Sequence, residues 1–464
     1  MDFDALLLSR IQFAFTIAFH ILFPAFTIGL ASYLAVLEGL WLFTRREVFK
    51  TLFLYWVKIF AISFGMGVVS GVVMSYQFGT NWSEFSRLAM PVIGPLLGYE
   101  VLTAFFLEAS FLGIMLFGWR KVGPGLHFLA TCLVAIGTAV SGFWILSANS
   151  WMQTPAGFAV GADGRMIATD YLQVIFNPSF PARFAHMMTA AYLTTALAVA
   201  GASAFQRLRG TAGDASRTAL RMAVLLIAVA APLQLAFGHW SGEVVKHHQP
   251  AKLAAIEAWW ETRADQPFVI FAVPDRELQA NRHEVAIPKV GSMVQLAEPG
   301  EVIPGLDRYA RADQPPVAPV FFSFRIMVGL GLLMIGLGFW GAFVWWRGRI
   351  DRSRWFQRAA VLMSPAGFAA VLTGWFVAEI GRQPWVVYGV LRTADAVSPV
   401  PAGHVAFSLL AYMVVYAVVF TAGALFILRL VREGPQGAEP PPTEQRPPGW
   451  TLAAAPRDVP GDPE

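Results

Sequence analysis

The chain has 464 residues, 56% of them hydrophobic and only 14% charged, with a mean hydropathy of +0.54. Soluble domains carry about a quarter charged residues, so this composition excludes an ordinary soluble enzyme. A net charge of +4 and a pI of about 9.2 would point a soluble protein towards nucleic acid. Here the basic residues sort by side of a membrane instead, and no nucleic-acid partner is expected.

Nine apolar runs follow one another, near residues 11–43, 52–76, 91–118, 127–148, 184–205, 219–240, 321–346, 359–380 and 404–430. Each is long enough to cross a hydrocarbon core about 30 Å thick. A lipid-exposed segment must satisfy its own amides, so the expected fold is an all-α membrane protein, a bundle of nine transmembrane helices. The first run is too long for a cleavable signal and lacks a basic flank before it, so it is expected to remain as a helix. Sixteen basic residues fall in alternate loops, from Arg45 and Arg46 through Arg207–Arg221 and Arg347–Arg358 to Arg432, against six in the opposite short segments. That asymmetry puts the N-terminus outside and the C-terminus in the cytoplasm.

Three regions are expected: a transmembrane bundle over 1–430, a folded outer loop within it at 241–320, and a disordered cytoplasmic tail at 433–464. The loop opens with helix-compatible sequence, Glu243 to Arg263, and closes on Pro315, Pro316 and Pro319. A structureless loop of that length would be unusual unless functional. Gly65, Gly67 and Gly71 have the wrong spacing and setting for a dinucleotide fingerprint; close helix packing suits Gly67 and Gly71 better. The single cysteine, Cys132, allows no intramolecular disulfide and no iron–sulfur cluster held by this chain alone.

Five ionisable side chains interrupt the apolar runs: His20, Glu100, Glu108, His186 and Glu379. Each costs a few kcal/mol in hydrocarbon unless partnered or neutral, so residues of this kind at membrane depth mark function. Imidazole and carboxylate are also the groups that ligate metals and relay protons. Glu100 and Glu108 are eight apart, about 80° round and about 12 Å along a regular helix, so they cannot clamp one ion together. One could be a ligand and the other a proton relay. His186 and Met327 both lie early in helices entering from the outer side. Imidazole with thioether is a haem ligation suited to electron transfer. Arg325 faces roughly away from Met327. Glu379 is followed by Arg382, and Trp375 and Trp385 flank the pair. Lys252 and Glu257, on the loop, are about 140° apart round a helix and do not make one tight pair.

At this point the chain resembles subunit I of the cytochrome bd-type quinol oxidases. The resemblance rests on Ser9-Arg10-Ile11-Gln12-Phe13 leading to His20; Gln77-Phe78-Gly79-Thr80-Asn81-Trp82; Gly98-Tyr99-Glu100 with Glu108-Ala109-Ser110; Ser147 through Gln153; Lys252 through Glu257; and Trp375 through Trp385 around Gly381-Arg382-Gln383-Pro384-Trp385. It implies His186 and Met327 as axial ligands of a low-spin haem b. It also implies His20 and Glu379 as ligands of two high-spin haems, one haem b and one haem d or a further haem b, with Glu100 as ligand or near-ligand. Glu108 and Ser141 match a proton path from the cytoplasm, Lys252 and Glu257 the quinol-oxidising region, and Arg325 and Arg382 residues that steady haem propionates. Where many members carry Glu before the Gln77–Trp82 string, this chain has Ser75. The outer loop lacks a long insertion, as in the short-loop branch that includes cyanide-insensitive oxidases.

The expected function is therefore a terminal respiratory oxidase in a bacterial or archaeal cytoplasmic membrane. It would oxidise quinol outside, reduce O2 to water and build a proton gradient by charge separation. The implied partners are the lipid bilayer and a subunit II, which a small single-helix subunit could join. Haem–copper oxidases need several intramembrane histidines, and cytochrome b of the quinol–cytochrome c reductase type needs paired ones; this chain offers neither. A proton-coupled transporter without haem is the alternative, since buried acids serve it equally well.

Overall fold

The computed structural model describes residues 4–210, 213–298 and 300–435. The tail expected to be disordered lies, from residue 436 onward, outside the described residues. Among the described residues nine helices are long and apolar enough to cross a membrane: Ala5–Thr44, Glu47–Thr80, Ser83–Phe117, Pro124–Gln153, Phe180–Leu208, Asp214–His248, Val317–Trp346, Arg354–Ile380 and Ala402–Glu433. They are called spans one to nine. Every run read from the sequence is one of them. The fifth span is central: 67% of its most apolar stretch is buried, against 11% for the ninth at the rim.

Small residues set the approach of the helices. A Cβ added at Gly367 would lie 2.6 Å from the Thr194 Cα, and one at Gly338 2.9 Å from the Ala228 Cα. No side chain fits in such gaps, so backbones meet there as they do in membrane bundles generally. Gly67 behaves as its spacing suggests: its hydrogen faces the Phe23 Cβ, which an added methyl would meet at 3.2 Å.

Two spans are irregular beside the ionisable residues. The first breaks at Ile21, between Ala5–His20 and Leu22–Thr44. Pro24 explains the break, because it has no N–H for the His20 carbonyl and its ring crowds that carbonyl. The third contains one π turn, Val101–Phe105, between Glu100 and Glu108. A π turn uses one residue more than an α turn, so the angle between the two glutamates falls from about 80° to about 20° of opposite sign. The regular-helix expectation is corrected accordingly, and the two acids share a face.

The loops that follow the even-numbered spans gather at one end with the N-terminal helix. Residues 154–179 form the hairpin Phe158–Val160 with Met166–Ala168 and the short helix Tyr171–Ile175, whose N–H groups at Leu172 and Gln173 are capped by Asp170. Residues 249–316 carry the helix Pro250–Glu257, an antiparallel hairpin of Phe268–Asp275 with Ala280–Ile287, and the pair Arg263–Ala264 with Val302–Ile303. The sequence reading expected one helix-compatible stretch from Glu243 to Arg263. The chain instead ends the sixth span at His248, turns at Gln249 and restarts at Pro250, which has no N–H to lose at a helix start. The buried residues Leu253, Trp259, Trp260 and Ile303 pack on Val317, Val320, Phe321 and Val377, so this lid shares a core with the ends of spans seven and eight.

Candidate functional site

A cavity of about 1780 Å³ runs inside the bundle beneath the lid. His20, Glu100, Glu108, Ser141, His186, Lys252, Glu257, Arg325, Met327, Trp375, Glu379 and Arg382 all line it. They come from six spans and two loops, so folding alone brings them together. A site for one drug-sized ligand is roughly 300–1,000 Å³, so this space suits more than one large group.

Next to the lid, the lysine and glutamate of Pro250–Glu257 are buried, at 3% and 2% exposure. That rules out solvated charges on a loop helix. Lys252 Nζ donates to Gln153 Oε1 at 2.6 Å and to Gln249 Oε1 at 2.8 Å. Burial holds the Lys252 amine well below the usual lysine range; Arg183 pushes the same way, Glu379 opposes and Arg382 adds to the lowering. A neutral amine has two N–H donors and one lone pair, so two glutamine acceptors use both donors. Glu257 points elsewhere, accepting from Arg325 Nη2 at 2.7 Å. Arg325 also donates through Nε to the Val269 carbonyl at 2.8 Å, tying the seventh span to the lid hairpin.

Glu379 is the centre of a second network. It accepts from Asn149 Nδ2 at 3.0 Å, Gln153 Nε2 at 3.2 Å and Arg382 Nη2, and Arg183 Nη2 donates to Asn149 Oδ1. Its partnership with Arg382 is therefore no surface ion pair; Arg382 is buried. Lower in the cavity, Ser141 donates to Glu100 at 2.7 Å, while the Glu108 Cγ packs on Gly137. Gly137 and Ser141 are one helical turn apart, so the two acids form steps about 6 Å apart along the fourth span. Glu108 Oε1 is buried and has no partner.

Three of the candidate ligands, His20, His186 and Met327, share one local design. His20 Nδ1 meets Ser70 Oγ at 2.9 Å, which leaves Nε2 as the ring nitrogen for a metal. An added Cβ would lie 3.2 Å from the ring Cε1 at Gly71 for His20 and at Gly238 for His186, and 2.8 Å from Met327 Sδ at Gly374. His20, His186 and Met327 are thus each cradled by a glycine. Gln234 Nε2 lies 3.2 and 3.1 Å from the two nitrogens of His186, and Gln234 Oε1 is buried without a partner. Trp375 packs with Ile21, Val371 and Met187 beside the first-span break.

These residues fit haem. Among the described residues no three His, Cys, Asp or Glu side chains converge on a bare ion. Ligands that come singly suit a macrocycle that brings its own equatorial donors. Arg325 Nη1 and Arg382 Nε and Nη1 are buried donors without partners, the groups that propionates require.

A family model described as cytochrome bd terminal oxidase subunit I matches residues 8–435. The chain belongs to that family. Cytochrome bd ubiquinol oxidase subunit 1 of Bacillus subtilis is 36% identical over 446 residues, with 94% of each chain covered. Cytochrome bd-II ubiquinol oxidase subunit 1 of Escherichia coli is 32% identical over 513 residues, covering 96% of this chain and 99% of that one. The solved structure of bd oxidase from Geobacillus thermodenitrificans aligns with a TM-score of 0.84 and 30% identity, over 92% of this chain and 98% of that one. Within this family frame the chain is a subunit of a terminal respiratory oxidase and the transporter alternative is not favoured.

Three cavity residues of this bd oxidase subunit escaped the sequence reading. Gln153 and Asn149 stood inside the matched Ser147–Gln153 string without an assigned role. Arg183 was counted only as a loop charge. The signal available for it was its place three residues before His186, on the same face of the fifth span.

Proposed function

We propose that this chain oxidises quinol at the lid and delivers electrons to three buried haems, where O2 is reduced to water. The observation that carries the reading is the single cavity shared by all twelve candidate residues. His186 and Met327 would hold a low-spin haem b. His20 and Glu379, with Glu100 as ligand or near-ligand, would hold a high-spin haem b and a third haem, type d or a further b. When bound, the haem irons supply the electron transfer and the oxygen chemistry.

The chain's own residues do the rest. Lys252 accepts a quinol hydroxyl on its lone pair, and Glu257, steadied by Arg325, takes up a proton on the same side. Arg325 and Arg382 turn unpaired N–H groups towards propionates. Glu108 and then Glu100 with Ser141 pass protons in from the far end of the bundle. The arginine-rich loops put that far end in the cytoplasm and the lid outside. Electrons then start outside, protons start inside, and their meeting in a dry interior separates charge. The membrane is the bacterial cytoplasmic membrane, the partner is subunit II, and a small single-helix subunit could join it.

A visible spectrum of the assembled complex tests the reading, followed by pyridine haemochrome analysis. Low-spin and high-spin haem signals are expected. A colourless, folded complex would return the protein to the transporter reading.

A further inference from the structure

At the end of the bundle opposite the lid, the segments 207–221 and 347–358 hold nine arginines against two aspartates. Three of these guanidiniums converge on one carboxylate. Arg207 Nη2 lies 3.0 Å from Asp351 Oδ1, and Arg217 Nε and Arg221 Nη2 lie 3.1 and 3.4 Å from Oδ2. Arg217 has one further partner, Asp214, at 3.4 Å. Two carboxylates cannot satisfy three forked guanidiniums of five donors each, and Arg207 Nε and Arg221 Nε are buried without partners. Gln357 fixes the turn, donating to the carbonyls of Ile350 and Asp351, both at 3.1 Å. The surplus positive charge is therefore held in place.

An apolar groove of about 380 Å³ lies between the sixth and seventh spans, lined by Leu225, Ala228, Ala342, Trp345 and Trp346. Leu225 is one turn from Arg221 on the same helix face, so the groove runs down from the arginines. Trp346 and Trp355 are 78% and 74% exposed, the placing of tryptophan at headgroup level. None of these residues lines the haem cavity. A dissolved anion would need the guanidiniums but not the groove. A molecule with a phosphate and an acyl chain needs both.

We infer that an anionic phospholipid binds here, its phosphate on Arg217 and Arg221 and one acyl chain in the groove between spans six and seven. Its charge matches the excess of guanidiniums over carboxylates, with Arg217 and Arg221 partly exposed, and its chain fills an apolar surface at bilayer depth.

Native mass spectrometry of the assembled oxidase, titrated with phosphatidylglycerol or phosphatidylcholine, tests this. The wild type should retain phosphatidylglycerol in preference to phosphatidylcholine. Arg217→Gln with Arg221→Gln should weaken that retention about tenfold. Arg217→Lys with Arg221→Lys should keep it, and Leu225→Trp, which fills the groove and spares the charges, should lose it. The haem spectrum, unchanged in all variants, shows that each is folded. Unchanged retention in the Gln pair or in Leu225→Trp would overturn the site. Competition by inorganic phosphate as strong as by the lipid would make it a soluble-anion site, and a partner subunit seated in the groove of the intact complex would make it a protein interface; either result overturns the inference.

Discussion

Lys252 and Glu379 are joined through one side chain: Gln153 accepts from the lysine through Oε1 and donates to the glutamate through Nε2. The lid group nearest the proposed quinol site and a candidate iron ligand thus share a partner whose amide cannot rotate without removing one hydrogen bond from each. The position of that amide reports at once on the lid and on the haem cavity.

The buried lysine fixes the sign of one pH effect. Its folded value lies below the ordinary 10.5, so folding disfavours its charged form. That cost is absent above the ordinary lysine value and grows as pH falls towards the folded value. Lys252→Met should therefore gain stability relative to the wild type as pH falls from 10.5. A constant offset is also expected, because Gln249 Oε1 loses its partner while Gln153 Oε1 keeps only the Gln249 amide. Thermal midpoints of the two purified oxidases across pH 7–11 measure the slope. Parallel curves would mean that the folded lysine titrates like a free one.

Lys252→Ala and Glu257→Ala should each lower quinol oxidation by about a hundredfold, as expected for loss of an acid–base group. Artificial reductants that bypass the lid should still drive oxygen consumption. Equal loss with both donors would indicate a structural role instead.

His186→Ala should remove the low-spin haem signal while oxygen-reactive high-spin haem remains. Reduced-minus-oxidised difference spectra of the assembled complex separate the two. Survival of the low-spin band would assign its ligand to another residue.

Glu108→Gln should slow steady-state oxygen reduction by about a hundredfold while anaerobic reduction of the haems by quinol stays fast. Removing one residue from 101–105 converts the π turn to a regular helix with the two acids seven apart, still about 20° from one another on one face. That deletion should therefore keep turnover near the wild type, unlike the Gln variant. Turnover lost in the deletion with the haem spectrum intact would show that the shared face of the two acids does not suffice for proton delivery.

The buried Glu38 holds His127 Nδ1 at 2.6 Å and Thr131 Oγ1 at 2.6 Å, close to the end opposite the lid. Glu38→Ala should cost about 3 kcal/mol by orphaning His127 Nδ1 and leaving Thr131 Oγ1 with the His127 carbonyl alone. Denaturation of the purified complex would show it as a lowered midpoint, with the haem spectrum intact.

The spans were legible because hydrocarbon thickness fixes helix length, and His20, Glu100, Glu108, His186 and Glu379 stood out because charge is rare at that depth. What spacing could not supply was long-range partnership. Arg325 was read as facing away from Met327, and its partner Glu257 lies 68 positions away. Glu379 meets Asn149 across 230 positions. The π turn, which packs on the fourth span, was hidden because no residue in Val-Leu-Thr-Ala-Phe forbids a regular helix. The hairpin at Phe268–Ile287 carries a β-rich stretch, Phe-Val-Ile-Phe-Ala-Val, beyond the helix-compatible segment, where the sequence reading assigned no element.

Because Trp259, Trp260 and Leu253 rest on Val317, Val320, Phe321 and Val377, the segment between the sixth and seventh spans is no detachable cassette. Chimeras that exchange it between relatives at the membrane boundary would graft a foreign underside onto a native floor. Swaps meant to alter quinone preference will have to carry the opening turns of the seventh span and the closing turn of the eighth along with the lid.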